Sequence, residues 1–223
     1  MNFENKVEIG IGIYTTSELS RILRIPYNKL FRWINKYWDG ELGKEYEQKY
    51  SWKTENSKAV GFHTLIEFYV FMQLANAGVK TRQVLNAHKE LSKIYKTPFP
   101  FAHKKVVSGI RTDGNKIYLK SNKTIITLDG TKQLNLDLLD LFFKNLEFDV
   151  HNIASRFWPL GKDKAILVDP KRKFGHPILK HSNIYPETIY NLYKGKESKE
   201  YIAFLYEIDI QQVEDAIEYC KAA

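Results

Sequence analysis

Asn28, Lys29, Arg32 and Lys36 share a short stretch with Leu30, Phe31, Trp33, Ile34 and Tyr37. Wound into a helix, the stretch turns the polar set, with Asn35 at its edge, to one side and the apolar set inward. The polar types suit a duplex: Arg forks onto guanine or phosphate, Asn pairs bidentately with adenine, and Lys supplies point charges. An ordinary helical hairpin with a solvated basic face is the alternative. Thr16 upstream and Lys49, Lys53 and Lys58 downstream complete the candidate DNA-binding set. Other reactive residue types are less well arranged. His176 and His181 form the one close histidine pair, and their spacing across a Pro-containing loop is not a zinc signature. Cys220, the single cysteine, has no neighbouring His to activate it. Asp137 and Asp140 share a helical face, where solvated charge is commoner than acid–base catalysis. Gly10-x-Gly12 lacks the third Gly or the Lys-Ser/Thr of a phosphate cradle and reads as strand or turn. No enzymatic activity, cofactor or metal is expected.

The elements that must present the polar face begin at Thr15. Its hydroxyl can cap a first helix while Glu18, three residues on, reaches back to the cap amide. Leu19, Ile22 and Leu23 form one apolar stripe, and Pro26 moves Ile25 out of helical geometry while suiting the first turn of a new helix. Two helices joined by a turn of about three residues read as a helix-turn-helix. Asp39-Gly40 and Gly43 then interrupt the pattern, and Lys49–Lys53 and Lys58–Phe62 flank Thr54-Glu-Asn-Ser57 as a hairpin. A hairpin directly after such a motif is a wing whose lysines meet backbone phosphates, or alternatively an edge protected by lysine against aggregation. Residues 1–13 end in an alternating run that is expected to pair with this wing as a strand.

At 223 residues and 43% hydrophobic, the chain can bury a core and divide into two or three small domains. Its formal charge of +8 favours anionic partners. Residues 1–103 carry 15 basic against 10 acidic side chains, 104–160 carry 9 against 6, and 161–223 carry 10 against 10. The excess therefore belongs to the first two thirds. One cysteine excludes an internal disulfide framework and fits the cytoplasm, the expected location. The apolar run from Leu65 to Ala77 contains Glu67 and is too short to span a bilayer, so no membrane association is expected.

Downstream, Thr64-x-x-Glu67 reads as a second capping box for a helix ending at Gly78, apolar nearly all round and so either central or shared with another subunit. Thr81 to Lys96 reads as a further helix, packing on the preceding one or serving as a dimer arm. Asp113-Gly114 and Asp129-Gly130 bracket a small strand meander, and Leu134 to Phe143 returns to helical character. Glu214, Asp215 and Glu218 argue against DNA contact through the last helix. Lys162, Lys164, Lys171, Arg172 and Lys173 form a basic cluster open to an acidic partner or to the duplex backbone.

Tyr14-Thr-Thr-Ser-Glu-Leu, Phe31-Arg-Trp, the wing, and the apolar helix ending Asn76-Ala-Gly-Val-Lys together resemble the MerR-like winged helix at the front of certain VapB-type antitoxins. His88-Lys-Glu-Leu, Thr97-Pro-Phe-Pro-Phe-Ala102 and the Phe157-Trp-Pro-Leu160 run are similar to that family's continuation, whereas ordinary MerR regulators resemble the chain only through about residue 95. Residues 165–178 and three helical segments, Pro186 to Tyr193, Ser198 to Tyr206 and Ile210 to Lys221, resemble a small domain of unknown function often paired with antitoxins. Leu179-Lys-His-Ser-Asn-Ile184 departs from that domain's pattern, lacking its Gly and Arg.

The resemblance implies a mainly α chain with small β elements, an α+β fold in three parts. These are a MerR-like winged helix with helical extension over 1–103, a β-meander and helix connector over 104–160, and a three-helix domain over 161–223. It further implies a cytoplasmic antitoxin, a homodimer on the double-stranded DNA of its own operator, with a PIN-like ribonuclease toxin as partner. A stand-alone MerR-like regulator without a toxin and a protein-interaction scaffold that does not bind DNA are the other readings.

Overall fold

A computed structural model describes residues 10–55, 57–112, 117–121, 124–128 and 142–222, and of residues 110–128 the backbone alone. The chain is mainly helical with small antiparallel sheets, the α+β class expected from its sequence. Strand β1 (Ile13–Thr15) runs into α1 (Thr16–Leu23), and the expected capping box is formed: Glu18 N donates to Thr15 Oγ1 and Thr15 N to Glu18 Oε2 at 2.7 Å. Arg24 ends α1 in the left-handed region, and α2 (Tyr27–Arg32) starts just after Pro26. The first helix and the short turn are therefore as the sequence predicts.

The second helix does not stop at Asp39-Gly40. It widens into a π-helical stretch, Trp33–Leu42, in which Gly43 N donates to Trp38 O five residues back. Such stretches are rare, and this one has two local reasons. A Cβ at Gly40 would lie 2.6 Å from Asn35 O, so the residue that reads as a breaker is the one that fits the wide turn. The widening also keeps Trp33, Ile34, Trp38 and Leu42 buried together, with Trp38 edge-on to Phe68 and Phe71 at 4.6 and 5.2 Å. Aromatic burial of that kind offsets imperfect backbone bonding.

Strands β2 (Ser51–Lys53) and β3 (Lys58–Gly61) form the wing, and β1 adds to β3 with Tyr14 opposite Val60. The pairing strand thus lies at 13–15; the run before Gly10 is outside the described residues. Helix α3 (Phe62–Asn76) begins two residues earlier than Thr64, which is buried inside it and caps nothing. Ten of its fifteen residues are buried within this one chain, so its all-round apolarity reflects a central position. Gly78, at φ +90°, stands just past its end as expected.

Glu67 is fully buried and serves the tertiary structure. Its Oε1 accepts from Phe101 N at 2.8 Å, and its Oε2 lies 2.7 Å from Nε2 of His88 on α4 (Thr81–Tyr95), close but off the hydrogen-bonding line. Burial raises the Glu67 pKa against the opposing pull of His88 and of the Phe101 and Ala102 amides. Three segments distant in sequence are tied at this point: α3, α4 and the 3₁₀ turn Pro100–Ala102.

After the short helix α5 (Lys104–Val107), β4 (Ile110–Thr112), β5 (Ile117–Ser121) and β6 (Thr124–Leu128) form the expected antiparallel meander. Both of its proposed Asp-Gly turns, and all of the Leu134 to Phe143 segment before Phe142, lie outside the described residues. The hairpin β7 (Leu146–Phe148) and β8 (Ala154–Phe157) returns to the first core, where Phe157 meets Tyr69 at 4.9 Å.

A second apolar cluster belongs to the tail. Strand β9 (Ile166–Leu167) pairs with β10 (Ile178–Leu179), and helices α6 (Pro186–Lys194), α7 (Lys199–Tyr206) and α8 (Ile210–Lys221) pack around Ile189, Ile202, Val213, Ala216 and Ile217. Ser198 caps α7 through Tyr201 N, and each of the three helices falls within a residue of its expected bounds. The tail is docked on the helix-turn-helix: His176 Nε2 lies 3.3 Å from Glu18 Oε1, and Gly175, at φ +88°, passes so close to the Tyr14 hydroxyl that a Cβ would collide with it.

Candidate nucleic-acid interface

The open face of α2 and its π-helical continuation carries the groups expected of it. Asn28, Lys29, Arg32 and Lys36 are exposed, Lys29 with its ammonium 5.2 Å from the Trp33 ring centre and Lys36 5.8 Å from that of Tyr37. Both contacts orient the long side chains along the helix. Leu30, Trp33 and Ile34 pack inward and Tyr37 lies against the core, as predicted. Phe31 does not. It is 41% exposed and stacks on Tyr27, one turn earlier, with ring centres 5.9 Å apart and planes 12° apart. Asn35, half-buried, donates from Nδ2 to Phe31 O at 2.7 Å, which commits its amide to the point where the helix widens.

The wing is fixed to this helix by Asp39. Its Oδ1 accepts from the amides of Tyr50 and Ser51 at 2.9 and 3.1 Å, and its Oδ2 from Ser51 Oγ and Lys58 Nζ, both at 2.6 Å. A residue that reads as a helix breaker is therefore the anchor of the wing. At the tip, Tyr27 Oη and Ser57 Oγ share a hydrogen bond of 3.3 Å. The lysines accordingly divide. Lys49 and Lys53 are exposed, whereas Lys58 is turned inward onto the Asp39 carboxylate and is corrected from a phosphate contact to a structural ion pair. Thr16 is corrected as well: it is fully buried and its hydroxyl donates to Lys58 O at 3.0 Å, tying α1 to β3.

What sequence reasoning missed here are Asp39, Tyr27 and outward-facing Phe31. One signal existed for the aromatic pair, since Tyr27 and Phe31 are four apart and share a helical face with each other more closely than with Leu30 or Ile34.

The tail's basic cluster is largely engaged within the chain. Lys162 Nζ donates to Phe143 O, Lys164 pairs with Asp215 and Glu218, and Lys173 lies over Tyr185. Arg172 bonds Ser182 O and Asn183 Oδ1, within the segment that departs from the resembled pattern. Asp215 is itself buried and accepts from Ala165 N, so the acids of α8 hold β9 in place. A cleft of about 340 Å³ between α1 and the tail is lined by residues including Glu18, His176, Glu187 and Cys220. Burial, with Glu187 nearby, pushes the Cys220 thiol up to about 12, the opposite of what a thiolate nucleophile needs. Among the described residues no three His, Cys, Asp or Glu side chains converge as metal ligands, and no helix is long and apolar enough to cross a membrane.

Comparison with known proteins gives the following. Residues 166–220, from β9 through α8, match the family described as a protein of unknown function, DUF433. Uncharacterized protein Rv2308 of Mycobacterium tuberculosis is 23% identical over 228 residues, 94% of this chain and 90% of that protein. The crystal structure of Rv2018 from Mycobacterium tuberculosis shares the fold at a TM-score of 0.67 and 17% identity, covering 97% of this chain and 99% of that one.

Proposed function

We propose that this protein is a DNA-binding antitoxin of a type II toxin–antitoxin system, whose MerR-like winged helix represses its own operon while the tail engages a PIN-like ribonuclease. The observation that carries the DNA part is the exposed Asn28, Lys29, Arg32 and Lys36 face of α2 and its π-helical continuation, set beside a wing that is bonded to both. In this reading α2 enters the major groove and Lys49 and Lys53 meet flanking phosphates. The antitoxin part rests on the resemblance to VapB-type chains and on a charge-balanced tail with 10 basic and 10 acidic residues. Two copies would place two such helices on a palindromic site. A stand-alone regulator shares every feature of the DNA-binding part and differs only in having no toxin.

The test is a titration of the duplex upstream of the protein's own coding sequence, together with co-expression and co-purification with the product of the adjoining gene. Asn28→Ala and Arg32→Ala are each expected to weaken specific binding by about 1–3 kcal/mol while leaving nonspecific binding nearly unchanged. Operator affinity untouched by both substitutions would remove α2 as the reader. A stable complex whose co-expression relieves growth arrest by the adjoining product supports the antitoxin role; DNA binding without any complex leaves the stand-alone regulator.

Outward-facing Phe31 adds a specificity prediction. Its ring belongs to the same exposed helix as Asn28 and Arg32 and can contact a thymine methyl. Exchanging contacted thymines for uracil, which lacks only that methyl, is expected to cost the wild type about 0.8 kcal/mol per site. Phe31→Ala should be insensitive to the exchange, and equal sensitivity in both proteins would exclude the contact.

A further inference from the structure

The tail exposes an apolar face that its own core does not use. On α7, Ile202 is fully buried, whereas Tyr201, Phe204 and Leu205 are 48%, 80% and 49% exposed. Their spacing of three and four places them on one side of the helix. Ile210, at the start of α8, is 43% exposed, and a shallow groove between the two helices is lined by Ala203, Phe204, Leu205, Glu207, Ile208 and Asp209. A helix apolar on both sides calls for cover on both, and exposed patches of this kind mark interaction sites.

The surrounding charge selects the occupant. Glu197, Glu200, Glu207 and Asp209 are exposed around the patch against exposed Lys196, and Lys199, the cation of α7 itself, is held by Glu214 at 2.7 Å. This is an acidic rim on a chain whose formal charge is +8. Nucleic acid is disfavoured there by like charge. A second copy docking through the same patch would set acid against acid, because a two-fold interface is self-complementary. The rim instead fits a protein with an apolar depression bordered by lysine and arginine. An enzyme that binds RNA must carry such basic borders to hold phosphates.

We propose that the Tyr201, Phe204, Leu205 and Ile210 face is the docking surface for the ribonuclease, seated against the basic border of its RNA-binding groove. This deepens the antitoxin reading and rests on it. Phe204 is the central anchor and the acids steer encounter.

The experiment measures binding kinetics between the full-length protein and the product of the adjoining gene, with the mass of the free protein followed by light scattering. Phe204→Ser is expected to weaken the complex about 30-fold, chiefly through faster dissociation. Glu200→Lys with Glu207→Lys is expected to slow association and flatten its salt dependence, which loss of fold alone would not do. An unchanged unfolding midpoint verifies that these exposed sites leave the core intact. A complex indifferent to all these substitutions overturns the surface but leaves the antitoxin reading standing. A dimer that becomes monomeric in Phe204→Ser overturns it in favour of a second copy. No complex with the wild-type protein sinks the antitoxin reading and this occupant together.

Discussion

His88→Ala is expected to cost about 3–5 kcal/mol of folding stability, because it opens a cavity beside the fully buried Glu67 and leaves that carboxyl's Oε2 facing no polar group. Urea unfolding measures this directly as a lower midpoint with an unchanged slope. Glu67→Gln is the informative comparison. It keeps an acceptor for Phe101 N and removes the charge that burial disfavours, so its cost should be well below that of His88→Ala. The pH dependence follows from the direction of the shift. Burial holds the Glu67 pKa above its unfolded value, so the contribution of its protonated form is full below the ordinary carboxylate range and is lost as pH rises through the raised value. Wild type should therefore lose stability relative to Glu67→Gln on the alkaline side of that value. Parallel stability profiles for the two proteins would show that Glu67 ionises in the fold as it does in the unfolded chain.

The same residue explains where the sequence was legible and where it was not. Thr15 and Glu18, Pro26 and Gly78 were readable because their partners lie within a few residues, and the structure forms each feature. Thr64-x-x-Glu67 matches the same capping template, yet Glu67 bonds Phe101, 34 residues away, and a helix already begun at Phe62 buries Thr64. Local pattern cannot rank a cap against a distant tie. Lys58 and Thr16 were misassigned for a related reason: residue type marks them as possible DNA contacts, but tertiary packing turns one to Asp39 and buries the other. Phe31 reads as inward by apolarity alone, and ordinary helical spacing puts it outside with Tyr27, four residues earlier and before the helix widens. The meander, by contrast, follows from local pattern and the three tail helices from the resembled domain, and their order survives intact.

Asp39→Ala is the second large effect, and it separates the structural role of the wing from its proposed role on DNA. The side chain is 6% exposed and accepts from two amides, one hydroxyl and one ammonium. Bonds to a charged acceptor are worth more than neutral ones, and their donors would be left partly buried, so a loss of about 3 kcal/mol or more is expected in unfolding experiments. Operator affinity should fall with it, although Asn28 and Arg32 are untouched, because the hairpin that carries Lys49 and Lys53 loses its tie to the second helix. Lys58→Met discriminates further. A lysine on a phosphate contributes about one to the slope of log affinity against log salt. With its ammonium on Asp39, Lys58 should contribute nothing to that slope while its replacement lowers stability. Lys53→Met should do the reverse, reducing the salt slope at little cost to the fold, since its side chain is exposed at the end of β2. A salt slope reduced by Lys58→Met instead would mean that DNA draws this lysine away from Asp39, and the wing would then rearrange on binding.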